Sequence, residues 1–206
     1  MNILSKFKED VMDTIIKYFT QDELSRLFNA IKNSGDRHAL RNLCIFRVAY
    51  RCGLRASEIR LLKLEYYNKS KGELYCKRLK SSWNNTIALD KQTVKILNQY
   101  IKEYGVKEES EVLFKSQEQN PISRKMLDYL MKRYCQMAKI KDENKWHFHC
   151  LKHSTAVHLA ESDLDIKEVQ FWLGHKSVNS TLCYFQFTTQ QQKNMLKKLE
   201  KQSMLV

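Results

Sequence analysis

Apolar residues recur at helical spacing along most of the chain, and the runs are bounded by capping residues more than by glycine or proline, of which there are only five and one. This pattern predicts a mainly α protein carrying a small β-hairpin, an α+β fold. Thr20-Gln21-Asp22-Glu23 is a capping box, with Phe19 and Leu24 placed as a hydrophobic staple, and Leu24, Leu27, Phe28 and Ile31 then share one helical face. A second helix is expected from Asp36 to Arg51, with Gly53 ending it in a left-handed cap, so that Arg55 lies between two helices. β-leaning residues from Glu73 to Lys80 and from Thr86 to Leu89 flank the polar turn Ser81-Ser82-Trp83-Asn84-Asn85 and read as a hairpin with Lys80 at its mouth.

Further along, Asp90 caps a helix through Val94, Leu97 and Ile101, and Ser123 caps another through Leu127, Leu130, Met131 and Tyr134. Leu151 to Ala160 reads as a helix whose first turn holds Lys152, where backbone N–H groups would favour an anion. Asp165-x-x-Glu168 is a second capping box, and its helix, carrying Val169, Trp172 and Leu173 inward, stops at Gly174 and leaves His175 just beyond the end. Tyr184 follows on a short helix starting near Asn179 or Ser180. Residues 188–206 form a basic amphipathic tail with Met195, Leu196 and Leu199 on one side. No repeat or interdomain linker interrupts the pattern, which gives one domain over 1–187, with 1–18 as a lead-in, followed by the tail.

Composition narrows the partners. With 36 Lys+Arg against 23 Asp+Glu, the formal charge of +13 suits a polyanion, nucleic acid before membrane, because the basic residues are scattered over helices and loops. Charge alone leaves a basic ribosome-like protein equally open. The six cysteines show no C-x-x-C pairing and sit mostly in apolar runs, as reduced, buried thiols of a cytoplasmic protein do. No stretch is apolar and long enough to span a membrane, and the N-terminal segment is unlike a signal peptide.

The chemistry concentrates in the last third. His149-Cys150-Leu151-Lys152-His153 is followed by Leu173-Gly174-His175 and, nine positions after His175, by Tyr184. A tyrosine with its free pKa near ~10 is a poor nucleophile. To attack a phosphodiester it needs a nearby base, and cations to take up phosphate charge. Upstream, Gly53-Leu54-Arg55-Ala56-Ser57-Glu58 and Lys80 can supply the cations. Singly, each has a plainer reading: Arg55 and Glu58 as a helical salt bridge, Lys80 beside Lys77 and Arg78 as a solvated hairpin edge, Tyr184 as a core aromatic. Zinc coordination by the histidine cluster is disfavoured, since its spacing matches no usual site and no Glu accompanies the first His. No metal or other cofactor is expected.

Taken in order and spacing, these motifs resemble the catalytic domain of the tyrosine recombinase (phage integrase) family, whose pattern runs G-L-R-x-S-E, a hairpin Lys, H-x-L-R-H, L-G-H and Tyr. The resemblance extends from about Phe19 to Tyr184 and departs at Lys152, where the family has arginine. On this reading the N-terminal DNA-clamping domain that most members carry is expected to be missing from the chain. The resemblance implies cleavage and rejoining of double-stranded DNA through a 3′-phosphotyrosyl link. Tyr184 is then the nucleophile and Arg55 the grip on the non-bridging oxygens, with Glu58 orienting it or a nearby histidine. Lys80 is the general acid, and His149 either accepts the tyrosine proton or holds the phosphorane. Lys152 and His175 donate to the phosphate, while His153 is buried and hydrogen-bonded. It also implies a monomer when free, a homotetramer on DNA with the tail after about Thr188 exchanged between protomers, and a bacterial, phage or mobile-element setting. A catalytically impaired DNA-binding regulator and a type IB topoisomerase-like enzyme are the alternatives.

Overall fold

The computed structural model describes residues 16–79 and 82–185. Lys80 and the tail at 188–206 therefore lie outside the described residues. Helix α1 (Gln21–Lys32) opens on the expected capping box: Thr20 Oγ1 accepts from the Glu23 N–H, and a Glu23 carboxylate oxygen accepts from the Thr20 N–H at 2.8 Å. Its face of Leu24, Leu27 and Ile31 is buried. Helix α2 (Ala39–Cys52) runs through the centre of the molecule, buried on nearly every side, and packs against α1 and two later helices. Its start falls three residues after the expected Asp36, because that carboxylate is engaged elsewhere, accepting from Arg133 and from the Tyr134 hydroxyl. Its end is as read: Gly53 adopts φ 59° and ψ 43°, where a Cβ would stand 2.9 Å from Leu173 Cδ2.

A single turn of helix, α3 (Ala56–Ile59), leads into a three-stranded antiparallel sheet of β1 (Tyr67–Asn68), β2 (Glu73–Cys76) and β3 (Asn85–Ala88) in that order. Leu74 pairs with Ile87 across β2 and β3, and both point into the core, while Tyr75 and Thr86 face out. Strand β1 was not expected, being only two residues long. Strand β2 is shorter than the pattern suggested, since beyond Cys76 the chain turns inward at Arg78. The helices α4 (Lys91–Tyr104) and α5 (Arg124–Met137) start at Asp90 and Ser123, whose side chains accept from the N–H groups of Thr93 and Met126.

The C-terminal third holds α6 (Cys150–Ala160), α7 (Ile166–Leu173) and the short α8 (Asn179–Leu182), which runs into a 3₁₀ turn at Cys183–Phe185. Asp165 and Glu168 form the second capping box, and Gly174 at φ 67° ends α7. One large core joins α1 to α6 and the sheet, with Phe46 set edge-on to Phe148 at 5.3 Å. A smaller cluster of Ala156, Val157, Ala160, Val169, Leu173 and Tyr184 holds α6, α7 and the last turn together. The tyrosine thus takes its position from the packing of its own turn against two helices, α6 and α7. Among the described residues, no helix is long and apolar enough to cross a membrane.

Candidate active site

Glu58 is the hub of the site. It is fully buried, its Oε2 accepts from the Arg55 N–H at 2.8 Å, and its Oε1 accepts from Arg55 Nη1 at 2.8 Å and from the Leu79 N–H at 3.0 Å. Burial would raise its pKa, but those N–H donors, with the Lys152 and Arg78 charges, outweigh it and hold the carboxyl below its usual range. Because α3 begins at Ala56, Glu58 occupies the third helical position, from which a carboxylate reaches back to the residue before the helix. That geometry aims the Arg55 guanidinium across the hairpin base, where Leu79 O and Ser82 Oγ lie at 3.5 and 3.4 Å. Leu79 and Ser82, the nearest described residues on either side of Lys80, therefore both border Arg55.

Arg78 is the residue the sequence reading passed over, grouping it with a solvated edge. Its side chain is fully buried. It donates to Cys52 O at 2.8 Å, Gly53 O at 3.0 Å, Trp172 O at 2.9 Å and Asn85 Oδ1 at 3.1 Å. Five donors in a planar fork suit a position where the C-terminal carbonyls of α2 and α7 converge. The signal was in the strand alternation, since Leu74, Cys76 and Arg78 fall on one inward face. Asn85 reinforces the junction by donating to Phe171 O and Trp172 O.

The hairpin turn also docks on the end of α7. Trp83 N–H donates to Gly174 O at 2.8 Å, and Ser82 bridges to His175. A Cβ on Gly174 would stand 2.5 Å from Trp83 O, at a φ of 67° that already disfavours one. Gly174→Ala is therefore expected to cost about 3 kcal/mol, against about 1 kcal/mol for Gly35→Ala, where φ is 70° and nothing lies within 4 Å. Thermal unfolding of the two variants side by side checks the difference.

Lys152 sits on the inward face of α6, only 2% exposed, its Nζ 3.5 Å from Leu173 O. Burial, with Arg55 and Arg78 adding, lowers its pKa to about 7. The anion-binding helix start expected around it is not present. The N–H groups of Cys150, Leu151, Lys152 and His153 already donate to the carbonyls of His147, Phe148 and His149, because the chain enters α6 through tight turns continuous with the helix. The amine, not the backbone, is what this turn offers an anion.

Three imidazoles complete the cluster. His149 lies at the open rim of the site, yet the protein packed around its ring, with Lys152 and Arg55 adding, pushes its pKa down to about 4. His175 is 6% exposed, with Nδ1 2.9 Å from Thr181 Oγ1 and its ring stacked 6.5 Å from that of Tyr184. Burial and the Lys152, Arg55 and Arg78 charges lower it to about 4 as well. His153, half-buried one helical turn after His149, has its Nδ1 2.9 Å from the Tyr184 hydroxyl. The sequence read His153 as buried and hydrogen-bonded, without its partner. Thr181 was missed, although it lies three residues before Tyr184 on the same short helical segment.

Tyr184 itself is 7% exposed, and burial pushes its phenol up to about 12. The structure thus gathers Arg55, Glu58, His149, Lys152, His175 and Tyr184 into one neighbourhood, with Arg78 and His153 added. Among the described residues, three cations, Arg55, Arg78 and Lys152, stand around the one buried carboxylate of Glu58, so that positive charge exceeds negative there. Among the described residues, no group of three His, Cys, Asp or Glu side chains is placed to hold a metal.

The phage integrase family profile matches residues 17–191. The type 1 fimbriae regulatory protein FimB of Escherichia coli K12 is 31% identical over 169 residues, covering 81% of this chain and 82% of FimB. Tyrosine recombinase XerA of Thermococcus kodakarensis is 28% identical, and the match covers 84% of this chain but only 59% of XerA. In structure, XerH site-specific recombinase bound to its difH substrate superposes with a TM-score of 0.75 at 22% identity, over 90% of this chain and 54% of XerH. The catalytic domain of bacteriophage HP1 integrase gives 0.63 at 19% identity, over 89% of this chain and 95% of that domain. The chain belongs to the phage integrase family and has the fold of a tyrosine recombinase catalytic domain.

Proposed function

We propose that the protein cleaves and rejoins double-stranded DNA at specific sites through a covalent 3′-phosphotyrosyl intermediate, with Tyr184 as the nucleophile. The observation that carries this reading is the surplus of positive charge around buried Glu58, from half-buried Arg55 and buried Arg78 and Lys152, with Arg55 within electrostatic reach of a tyrosine hydroxyl that lies 2.9 Å from an imidazole. An anion is what such a cluster lacks, and a scissile phosphate would supply it. Arg55 would grip the non-bridging oxygens with its fork, and Glu58 holds that fork in place. Lys152 and His175 would donate to the same oxygens, with His149 facing the phosphate from the rim. Lys80, between residues that border Arg55, is assigned the protonation of the departing 5′ oxygen.

Because the phosphotyrosyl ester conserves the bond energy, a 5′-hydroxyl from a second strand can reverse the step and give exchanged strands. The recombinase names of XerA and XerH favour strand exchange over simple relaxation of supercoils. A regulator with impaired catalysis is the second reading, favoured by Lys152 where the family has arginine, and retention of Tyr184, Arg55 and Lys80 counts against it. Exchange of the tail after Thr188 within a DNA-bound tetramer, and action in the reducing, DNA-containing compartment, belong to the same proposal.

The test is covalent capture. The protein is incubated with fragmented genomic DNA, denatured, and the DNA remaining attached is sequenced. A recurring short site at the attachment point is expected, whereas no denaturant-stable adduct would refute the reading. Non-covalent binding of duplex DNA should fall steeply with salt, with a log–log slope of about −0.9 per phosphate contact. Affinity that stays flat between low and physiological salt would contradict a polyanion partner for this +13 chain.

A further inference from the structure

We propose that His153, not His149, is the base that takes the proton of Tyr184 when the phenol attacks phosphorus. The inference rests on the function proposed above and assigns one step of it. His153 Nδ1 is 2.9 Å from the Tyr184 oxygen, and the two rings lie 5.9 Å apart at 46°. That is the distance a general base needs from the proton it removes. His149 packs against His153 in a T-shaped pair, with ring centroids 4.5 Å apart at 83°, and lies on the solvent side at the open rim. The pair therefore divides the work, the outer ring toward the phosphate and the inner ring toward the phenol.

The fold holds this arrangement from both sides. His153 is fixed on α6, while Tyr184 is packed into the cluster shared by α6 and α7 and backed by the stacked ring of His175. In the free protein the phenol is protonated and His153 is neutral, its pKa lowered to about 4 by burial and then by His149, His147 and Lys152, and in the tautomer protonated on Nε2 its Nδ1 accepts from the Tyr184 hydroxyl. A hydrogen bond to a neutral imidazole holds the nucleophile without ionising it. A phosphodiester entering among Arg55, Lys152 and His149 adds negative charge beside His153 and favours its protonated form. In the step, the Tyr184 Oη–P bond forms as the P–O5′ bond breaks. The phenolic proton passes to His153 Nδ1, and a separate acid protonates O5′. When a 5′-hydroxyl attacks the phosphotyrosine, His153 returns its proton to the tyrosine.

The experiment uses a nicked duplex carrying the sequence that the wild-type protein captures, made with the ordinary 5′ oxygen and, separately, with sulfur bridging at that position. A thiolate leaves without a proton, so the sulfur substrate removes the need for an acid but not for a base. His153→Asn, which keeps an acceptor near the Nδ1 position but cannot take a proton, is expected to slow adduct formation by about 100-fold on both substrates, with duplex affinity unchanged. His153→Gly should be partly restored by added imidazole. Adduct formation by His153→Asn within about threefold of wild type would overturn the assignment. Rescue of His153→Asn by the sulfur substrate would do the same, placing His153 on the leaving-group side. In the DNA-free protein, the His153 ring nitrogen signals should shift in Tyr184→Phe, and unchanged signals would deny the hydrogen bond itself. Failure of the wild-type protein to form any adduct would instead refute the proposed function, and this step with it.

Discussion

Replacing Lys152 by methionine is expected to abolish cleavage and at the same time to raise the melting temperature. The side chain is 2% exposed and stands near two arginines, with one long contact of 3.5 Å to a carbonyl. Exchanging a buried charge for an apolar side chain of similar length is often worth about 1–4 kcal/mol. For a chain of this size that corresponds to roughly 2–16 °C. The pH dependence fixes the cause. The pKa is lowered from the ordinary lysine value of 10.5 to about 7 in the fold, so between those values the unfolded chain binds more protons and stability rises with pH. The advantage of Lys152→Met should therefore be largest below pH 7 and shrink as the pH climbs toward 10.

Cleavage should move the other way, falling at least about 100-fold with the loss of one phosphate donor. Lys152→Arg, whose charge does not titrate, should keep cleaving at pH values where the wild-type amine has lost its proton. Thermal melts and single-turnover cleavage on the same three proteins decide the matter. A Lys152→Met protein that is less stable at pH 6, or that still cleaves normally, would show that the amine is not a strained phosphate ligand.

The helices were legible because their signals are local. The Thr20, Asp90, Ser123 and Asp165 caps and the stops at Gly53 and Gly174 are each set by a few adjacent residues, and all form as read. The order of the motifs carried the site residues, since no single one outweighed its plainer reading. What escaped was long-range. Asp36 leaves its helix for Arg133 and Tyr134, about a hundred residues away. Arg78 is buried because carbonyls from two helix ends converge on it, and only the strand alternation hinted at that. The start of α6 looked open to an anion in sequence, but whether its N–H groups are free depends on the turn before it. That His153 rather than His149 meets the phenol depends on how α6 packs against the last turn, which the motif spacing does not encode.

Tyr184→Phe is expected to bind DNA nearly as well as wild type and to form no covalent adduct, because it removes the attacking oxygen and leaves the ring. That ring carries the packing against His175 and the small cluster, so the variant should keep its fold. The most direct measurement is to denature and digest the wild-type protein–DNA adduct and to locate the DNA-bearing peptide by mass spectrometry, with Tyr184→Phe run in parallel. A phosphotyrosyl link at Tyr184 is predicted in the wild type and none in the variant. A link at any other residue, or an adduct that persists in Tyr184→Phe, would contradict the assignment of Tyr184 as the nucleophile.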